Sequence, residues 1–280
     1  MSIEFVKMHG TGNDYVYVDT WTQTVPDPVQ LAIDVSHRHF AVGSDGLILV
    51  AKPDQEGFAG RMVMYNADGS ESGMCGNGLR CVAKFLFDRG RTNGATEFRL
   101  QTGAGPRGAK IHVGADGKAE RVTLSMGAPL LSPEQIPTTL AAQGGEFEIE
   151  VAGRKLKGTP VGMGNPHFVI FVENTETFPV HELGPLVENH AAFPRRVNAE
   201  FVQVMGVGHL RQRTWERGSG ETWACGTGAS AVCVASKLRG ITDGKVEIDL
   251  LGGRLSLSWD GQGEVLMTGN AVEVFTGRLG

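Results

Sequence analysis

At 280 residues, with 41% hydrophobic and 20% charged side chains, the chain has the composition of a soluble globular protein long enough for two domains. A net charge of −5 gives no electrostatic basis for holding nucleic acid or an anionic membrane surface, so neither is expected as a partner. No apolar run approaches a membrane span and no signal-peptide core follows Met1, which makes the cytoplasm the expected compartment.

In chain order, residues 3–8 and 15–19 read as strands, the second carrying Val16, Tyr17 and Val18. The loop between them, His9 to Asp14, combines glycines with polar side chains. Pro28 opens a short helix that runs to Ser36. His37 and His39 flank Arg38 in an exposed turn to which no role is given. Leu47, Ile48 and Leu49 mark a strand, and a further strand over 61–65 delivers Asn66-Ala67-Asp68-Gly69 to the loop before Cys75.

At Met74-Cys75-Gly76-Asn77-Gly78 a glycine-rich turn opens into a helix, with Leu79, Val82, Ala83 and Leu86 at helical spacing and Gly90 as the stop. A thiol at a helix N-terminus is expected to ionise more readily than its reference value of about 8.5, because unpaired N–H groups and the macrodipole favour an anion there. Strands follow at 96–101, 107–113 and 118–124, the last two joined by an Asp116-Gly117 turn. The Pro- and Ser-bearing stretch Gly127 to Pro137 is the best candidate boundary.

The second half predicts strands near 146–151, 154–158, 166–173, 199–205 and 210–216 and a helix around 179–190. Ala224-Cys225-Gly226-Thr227-Gly228-Ala229 then repeats the cysteine turn ahead of a helix of small apolar residues ending near Leu238. Two strands surround Gly252-Gly253, and an extended tail from Val265 to Thr276 is expected to rejoin the first domain. Glycine, at 40 residues, is twice the usual usage of about 7% and is scattered, which suits many turns and close backbone approaches to a ligand.

Four cysteines allow two disulfides, a metal site or reactive thiols. The Cys75–Cys81 and Cys225–Cys233 spacings do not match a zinc Cys-x-x-Cys, and a cytosolic setting disfavours disulfides. Cys81 and Cys233, within the helices, read as core residues.

The two halves align with each other. Gly12-Asn13-Asp14-Tyr15 and Gly164-Asn165-Pro166-His167 each precede a strand, and 62 residues separate Asn13 from Cys75 where 60 separate Asn165 from Cys225. Strand-end residues Asn66 and Glu216 each stand nine before their cysteine. The expected fold is therefore α/β (α+β): two pseudo-symmetric domains, each a mixed, mostly antiparallel sheet or barrel around a central helix. Residues 1–127 with 266–280 form one and 128–265 the other, with the site in a cleft where the helix N-termini face each other.

Two thiols suit proton transfer near neutral pH, one as thiolate and the other as thiol. Placed on opposite sides of one carbon, they invert a stereocentre: a racemase or epimerase. Uncovered helix N–H groups stabilise the carboxylate of the carbanion. Neither a phosphate-cradling loop nor a dinucleotide fingerprint is present, so cofactor-independent chemistry with no metal is expected.

The segments Gly10-Thr11-Gly12-Asn13-Asp14, Asn66-Ala67-Asp68-Gly69-Ser70, Met74-Cys75-Gly76-Asn77-Gly78 with Arg80, Gly164-Asn165-Pro166-His167, Glu216-Arg217-Gly218 and Ala224-Cys225-Gly226-Thr227-Gly228 resemble diaminopimelate epimerase, in family order along the whole chain. The resemblance implies interconversion of LL- and meso-diaminopimelate on the path to lysine and peptidoglycan, by a homodimer. It makes Cys75 and Cys225 the acid/base pair, with Gly76, Asn77, Gly226 and Thr227 holding the reacting carboxylate. Asn13, Asn66, Asn165, Asn198 and Arg217 bind the substrate's amino and carboxylate groups, while His167 and Glu216 set cysteine ionisation or orient the amine. Some members carry Gln where Gly46 stands, so a distal contact is absent or replaced here.

Two alternatives remain at this level. One is a relative with the same two-thiol layout, such as a proline racemase, another amino-acid racemase or a phenazine-type isomerase; Asn77 and Glu216-Arg217 favour a substrate with a second amino-acid end. The other is a thiol-based metal-binding or redox-sensing protein.

Overall fold

The computed structural model describes residues 2–280. Its elements in chain order are β1 (Ile3–Gly10), β2 (Asn13–Asp19), α1 (Pro28–Ser36), β3 (Gly46–Ala51), β4 (Gly60–Asn66), β5 (Glu71–Ser72), α2 (Gly76–Asp88), β6 (Glu97–Gln101), β7 (Arg107–Val113) and β8 (Ala119–Ser125). There follow β9 (Phe147–Val151), β10 (Arg154–Gly162), β11 (Pro166–Phe171), α3 (Val180–Glu188), β12 (Asn198–Gly206), β13 (His209–Glu216), β14 (Gly220–Thr222), α4 (Gly226–Leu238), β15 (Lys245–Leu250), β16 (Gly253–Ser258), β17 (Leu266–Asn270) and β18 (Val272–Leu279). The chain is mixed α/β and mostly strand, and it divides into two compact units, Met1–Leu124 with Thr268–Gly280 and Ser125–Met267.

In the first unit β1 pairs antiparallel with β2 and β18, β2 runs parallel to β3, and β3 is antiparallel to β4. β4 is antiparallel to β5 and parallel to β6, after which β6, β7 and β8 continue antiparallel. The second unit repeats this pattern. β10 pairs antiparallel with β11 and β9, β11 runs parallel to β12, and β12 is antiparallel to β13. β13 is antiparallel to β14 and parallel to β15, which is antiparallel to β16.

A parallel pair needs a long crossover. Here a helix supplies each one: α1 and α3 for the first in each unit, α2 and α4 for the second. The tail strand β18 takes beside β1 the place that β9 takes beside β10, so each unit has a matching outer strand.

Strands between the two helices of a unit are buried on both faces and accordingly read as unbroken apolar runs. Val16, Val18 and Leu47 pack toward α1 with Ala32 and Val35, while the alternate residues Tyr17 and Ile48 are fully buried on the other face. In the second unit Phe168, Phe193, Phe201, Leu183 and Val187 form the matching cluster, with the Phe168 and Phe193 rings 5.2 Å apart. Each such phenyl contributes about 1.5–3 kcal/mol by burial. Helices α2 and α4 are buried almost all round, which their small and apolar residues (Gly, Ala, Ser, Cys, Val) permit.

The structure shifts the ends of the expected elements, carrying β10 on to Gly162 while stopping β11 at Phe171 and α3 at Glu188, and adds the short strands β5 and β14, whose two and three residues carry no periodicity to recognise. Gly127 to Pro137 lies inside the second unit, where Leu130 bridges to Gly162 and Ile136 is fully buried. Arg38, given no role above, pairs with Asp14 and Asp45 at 2.8 and 2.7 Å.

Gly46 opens β3 at φ +155°, and a Cβ built there falls 2.1 Å from the backbone oxygen of Tyr65. The position therefore excludes a side chain unless β3 and β4 separate. Gly46→Gln is expected to cost about 2 kcal/mol or more rather than to add a polar contact. Urea unfolding that gives parental stability for this variant would contradict the account.

Candidate active site

Each cysteine caps its own helix. Cys75, at φ −126° and ψ 121°, is the N-cap of α2, and its sulfur accepts the Gly78 N–H at 3.4 Å. Cys225, at φ −115° and ψ 109°, caps α4 in the same way, accepting the Gly228 N–H at 3.3 Å. A capping side chain three residues before its donor lies at the positive end of the helix, beside the other N–H groups of the first turn. Glycine at the donor position lets a strand side chain pack directly against the helix backbone. A Cβ at Gly78 would stand 2.6 Å from Ile48 Cδ1, and one at Gly228 2.5 Å from Glu200 Oε1.

Around Cys75, the thiol donates to Asn13 Oδ1 at 3.1 Å, and Asn13 Nδ2 donates to Asp45 Oδ2 at 2.6 Å. Arg38 holds Asp45 in turn, so the orientation of the Asn13 amide is set two residues deep. Buried Asn77 accepts from Thr11 Oγ1 at 3.3 Å, and the fully buried guanidinium of Arg80 donates to Thr11 at 2.8 Å. These bonds tie the β1–β2 loop to the first turn of α2. Tyr15 lies close by, its phenol pushed well up by burial and then by the charge of Cys75. Gly76 opens the helix, whereas Asn66 sits at the end of β4 and donates to Ser70 Oγ at 2.9 Å within its own turn.

The second unit gathers more of the expected residues. Thr227 Oγ1 is 3.5 Å from the Cys225 sulfur, and the Glu216 carboxylate, which accepts from Thr222 Oγ1 at 2.5 Å, acts electrostatically on that thiol. His167 Nδ1 donates to Glu200 Oε1 at 2.8 Å, and its Nε2 lies 2.9 Å from Asn165 Oδ1. Asn198 donates to the Pro166 carbonyl at 2.8 Å and accepts the Arg217 N–H at 2.9 Å. The Arg217 guanidinium rests on the Arg195 carbonyl at 3.0 Å, and Gly226 opens α4.

One expectation is corrected for Cys225. Its thiol is pushed well above the ordinary range, by burial first and then by the negative charges of Glu216 and Glu200, with the Thr227 and Gly228 bonds opposing. Desolvation and two carboxylates outweigh the helix terminus, whose effect is modest in comparison. All four cysteines carry thiols. Cys81 and Cys233 are buried, and burial pushes them up to about 11 and about 12, as inert core thiols require.

Glu200, Asp45, Thr11, Arg80 and Tyr15 belong to these networks although sequence reasoning singled out none of them for a role. Glu200 is hidden because the first five residues of β12 are all buried, so no polar–apolar alternation exposes it. Only its charge within an apolar run marks it.

A family model described as diaminopimelate epimerase matches residues 5–131 and 159–274. Diaminopimelate epimerase of Acetivibrio thermocellus is 48% identical over 279 residues, covering 99% of this chain and 98% of that protein. The enzyme of the same name from Leptospira biflexa is 48% identical over 284 residues, covering 100% and 99%. Among solved structures, a hydroxyproline epimerase from Agrobacterium vitis superposes with a TM-score of 0.73 at 16% identity, covering 99% of this chain and 92% of that one, a likeness of fold.

Burial, with Glu200 adding to it, lifts Glu216 above the ordinary carboxylate range, against the bonds from Thr222 and Cys225. An acid raised in the folded state takes up a proton on folding, so the stability it contributes is complete below its unfolded value of about 4.3 and is lost as pH rises through the folded value. Glu216→Gln, which cannot ionise, is expected to gain stability over the parent at about pH 8 relative to about pH 4. Urea unfolding at both values checks this; an equal difference at the two would contradict it.

Proposed function

Because the chain belongs to the diaminopimelate epimerase family, we propose that it interconverts LL- and meso-diaminopimelate for lysine and peptidoglycan precursors, with Cys75 and Cys225 as the acid–base pair. The observation that carries this is the duplicated cap: each unit uses a cysteine sulfur to close the first turn of a buried helix, and places glycine where a strand side chain leaves no room.

In the reaction one sulfur, as thiolate, takes the α proton from one face of the carbon, and the other, as thiol, returns a proton to the opposite face. The C–H electron pair passes into the α-carboxylate. That group is held by first-turn donors of the two helices, from Gly76 and Asn77 and from Gly226 and Thr227, which match the growing negative charge. The chemistry uses neither metal nor cofactor.

Asn13, Asn66, Asn165, Asn198 and Arg217 bind the amino and carboxylate groups. Support for Asn13 comes from its contact with Cys75, and for Asn198 from the bond that ties it to Arg217. His167 and Glu216 orient the amine or set the Cys225 proton, a role supported by the electrostatic effect of Glu216 on that thiol. The domains correspond to residues 1–127 with 266–280 and to 128–265. We read the working assembly as a cytoplasmic homodimer. Val274 and Phe275 on the outer strand β18, each about half exposed, supply apolar surface for a second copy, and no helix among the described residues is long and apolar enough to cross a membrane.

Cys75→Ala and Cys225→Ala are each expected to lower epimerisation by about 10³-fold or more while circular dichroism stays native. Parental turnover of LL-diaminopimelate by either variant would remove the two-base scheme. In deuterated water, early product is expected to carry deuterium at the inverted centre while recovered substrate does not. Equal early labelling of both would point to a single base that exchanges its proton with solvent.

A further inference from the structure

The strand registers superpose the two units residue on residue. Leu47 pairs with Tyr65 as Ala199 pairs with Trp215, and Val16 with Leu47 as Phe168 with Ala199. Tyr15 is therefore matched by His167, Ile48 by Glu200, Met64 by Thr214 and Val50 by Val202, with Met62 matched by Gln212. Ile48 and Glu200 touch the same place, directly beneath the capping glycine of each cysteine helix. The duplicated scaffold thus has an apolar floor under Cys75 and a polar one under Cys225.

Glu200 is fully buried, and three side chains donate to it: His167 Nδ1 at 2.8 Å on Oε1, with Gln212 Nε2 at 2.7 Å and Thr214 Oγ1 at 2.6 Å on Oε2. Three donors and no acceptor are the surroundings of an ionised carboxylate, which could not be buried without them. The helices differ in the opposite sense. Arg80, fully buried on α2, corresponds in position to Ser230 on α4, whose hydroxyl merely returns to the Gly226 carbonyl.

We propose that Glu200 is a positioning residue that makes the two thiols unequal, holding the proton on Cys225 so that Cys75 ionises first. The titratable groups nearest Cys225 are Glu200 from β12, Glu216 from β13 and His167 from β11. Arg154, Lys155 and Lys157 of β10 and Lys245 of β15 are exposed, Arg254 of β16 is exposed and paired with Asp249, and Lys237 of α4 donates to the Asp243 carbonyl. Facing Cys75 are the Arg80 cation and Tyr15, with Asp45 behind Asn13 and neutralised by Arg38. The Asn13 carbonyl favours the Cys75 thiol, but as a neutral dipole against a buried cation.

The consequence for catalysis, that Cys225 enters the cycle as the acid, rests on the two-thiol reading above; the titration itself needs no substrate. Enzyme labelled with ¹³Cβ-cysteine, with signals assigned through single Cys→Ala variants, is titrated by NMR over the range in which it stays folded. Cys75 is expected to ionise at lower pH than Cys225. Glu200→Gln is expected to lower the Cys225 midpoint by about one pH unit or more, a tenfold or greater change in its ionisation constant, and to leave Cys75 in place, while Glu200→Asp restores the parental value. A folded Glu200→Gln protein with the Cys225 midpoint unmoved overturns the proposal. So does parental enzyme in which Cys225 ionises at or below Cys75, a measurement that holds even if the variant does not fold. The expected thiol order in a protein that fails to epimerise diaminopimelate would refute the function and leave the role of Glu200 standing.

Discussion

A sulfur that caps its own helix is the constraint from which most of this structure follows. The bond from the N–H of Gly78 or Gly228 to the cysteine three residues earlier fixes the sulfur at the positive end of a buried helix. To bury that helix, strands must cover it closely, and the closest covering side chain, Ile48 in one unit and Glu200 in the other, meets the backbone at the glycine itself. Cysteine at the cap and glycine three residues on are therefore one requirement. A side chain at that glycine would meet Ile48 Cδ1 in one unit and the Glu200 carboxylate in the other, which would have to shift to make room.

The chain satisfies this requirement twice, with the same succession of parallel and antiparallel pairings. Even the outer strand is matched, although the first unit takes it from the end of the chain. The units diverge in what lines this shared scaffold. In the first unit the cap rests on isoleucine, and its polar contacts come from the β1–β2 loop, braced by Arg80 and by the Arg38–Asp45–Asn13 series. In the second, a buried carboxylate gathers a histidine, an amide and a hydroxyl beneath the helix. An ion in such a place costs several kcal/mol unless each lone pair is met, so the four side chains are fixed as a set.

That difference separates two roles a helix N-terminus plays. Its uncovered N–H groups favour negative charge in both units alike, whereas the ionisation of the capping sulfur depends on what else is buried nearby. For Cys225, desolvation and two carboxylates decide the outcome against the helix. One fold repeated can thus set the same atom in two different electrostatic surroundings without moving it.

The sequence by itself determined the cysteine–glycine turns, the helices behind them, nearly every strand and the internal duplication. Each of these is local: a glycine spacing, a run of apolar residues, a motif at matched distance from another. It also carried the family resemblance, because the motifs are short and contiguous. Tertiary structure alone decided that β18 completes the first unit, that Gly46 has no room for a side chain, and that Arg38 and Asp45 brace Asn13. It alone buried Cys225 and brought Glu216 and Glu200, nine and 25 residues away along the chain, to its surroundings, and so reversed the ionisation expected of that thiol. The physical reason is that charge and burial act through space. Strand register sets which side chain lies beneath a given helix turn, and no pattern within β12 announces which of its buried residues will meet a sulfur.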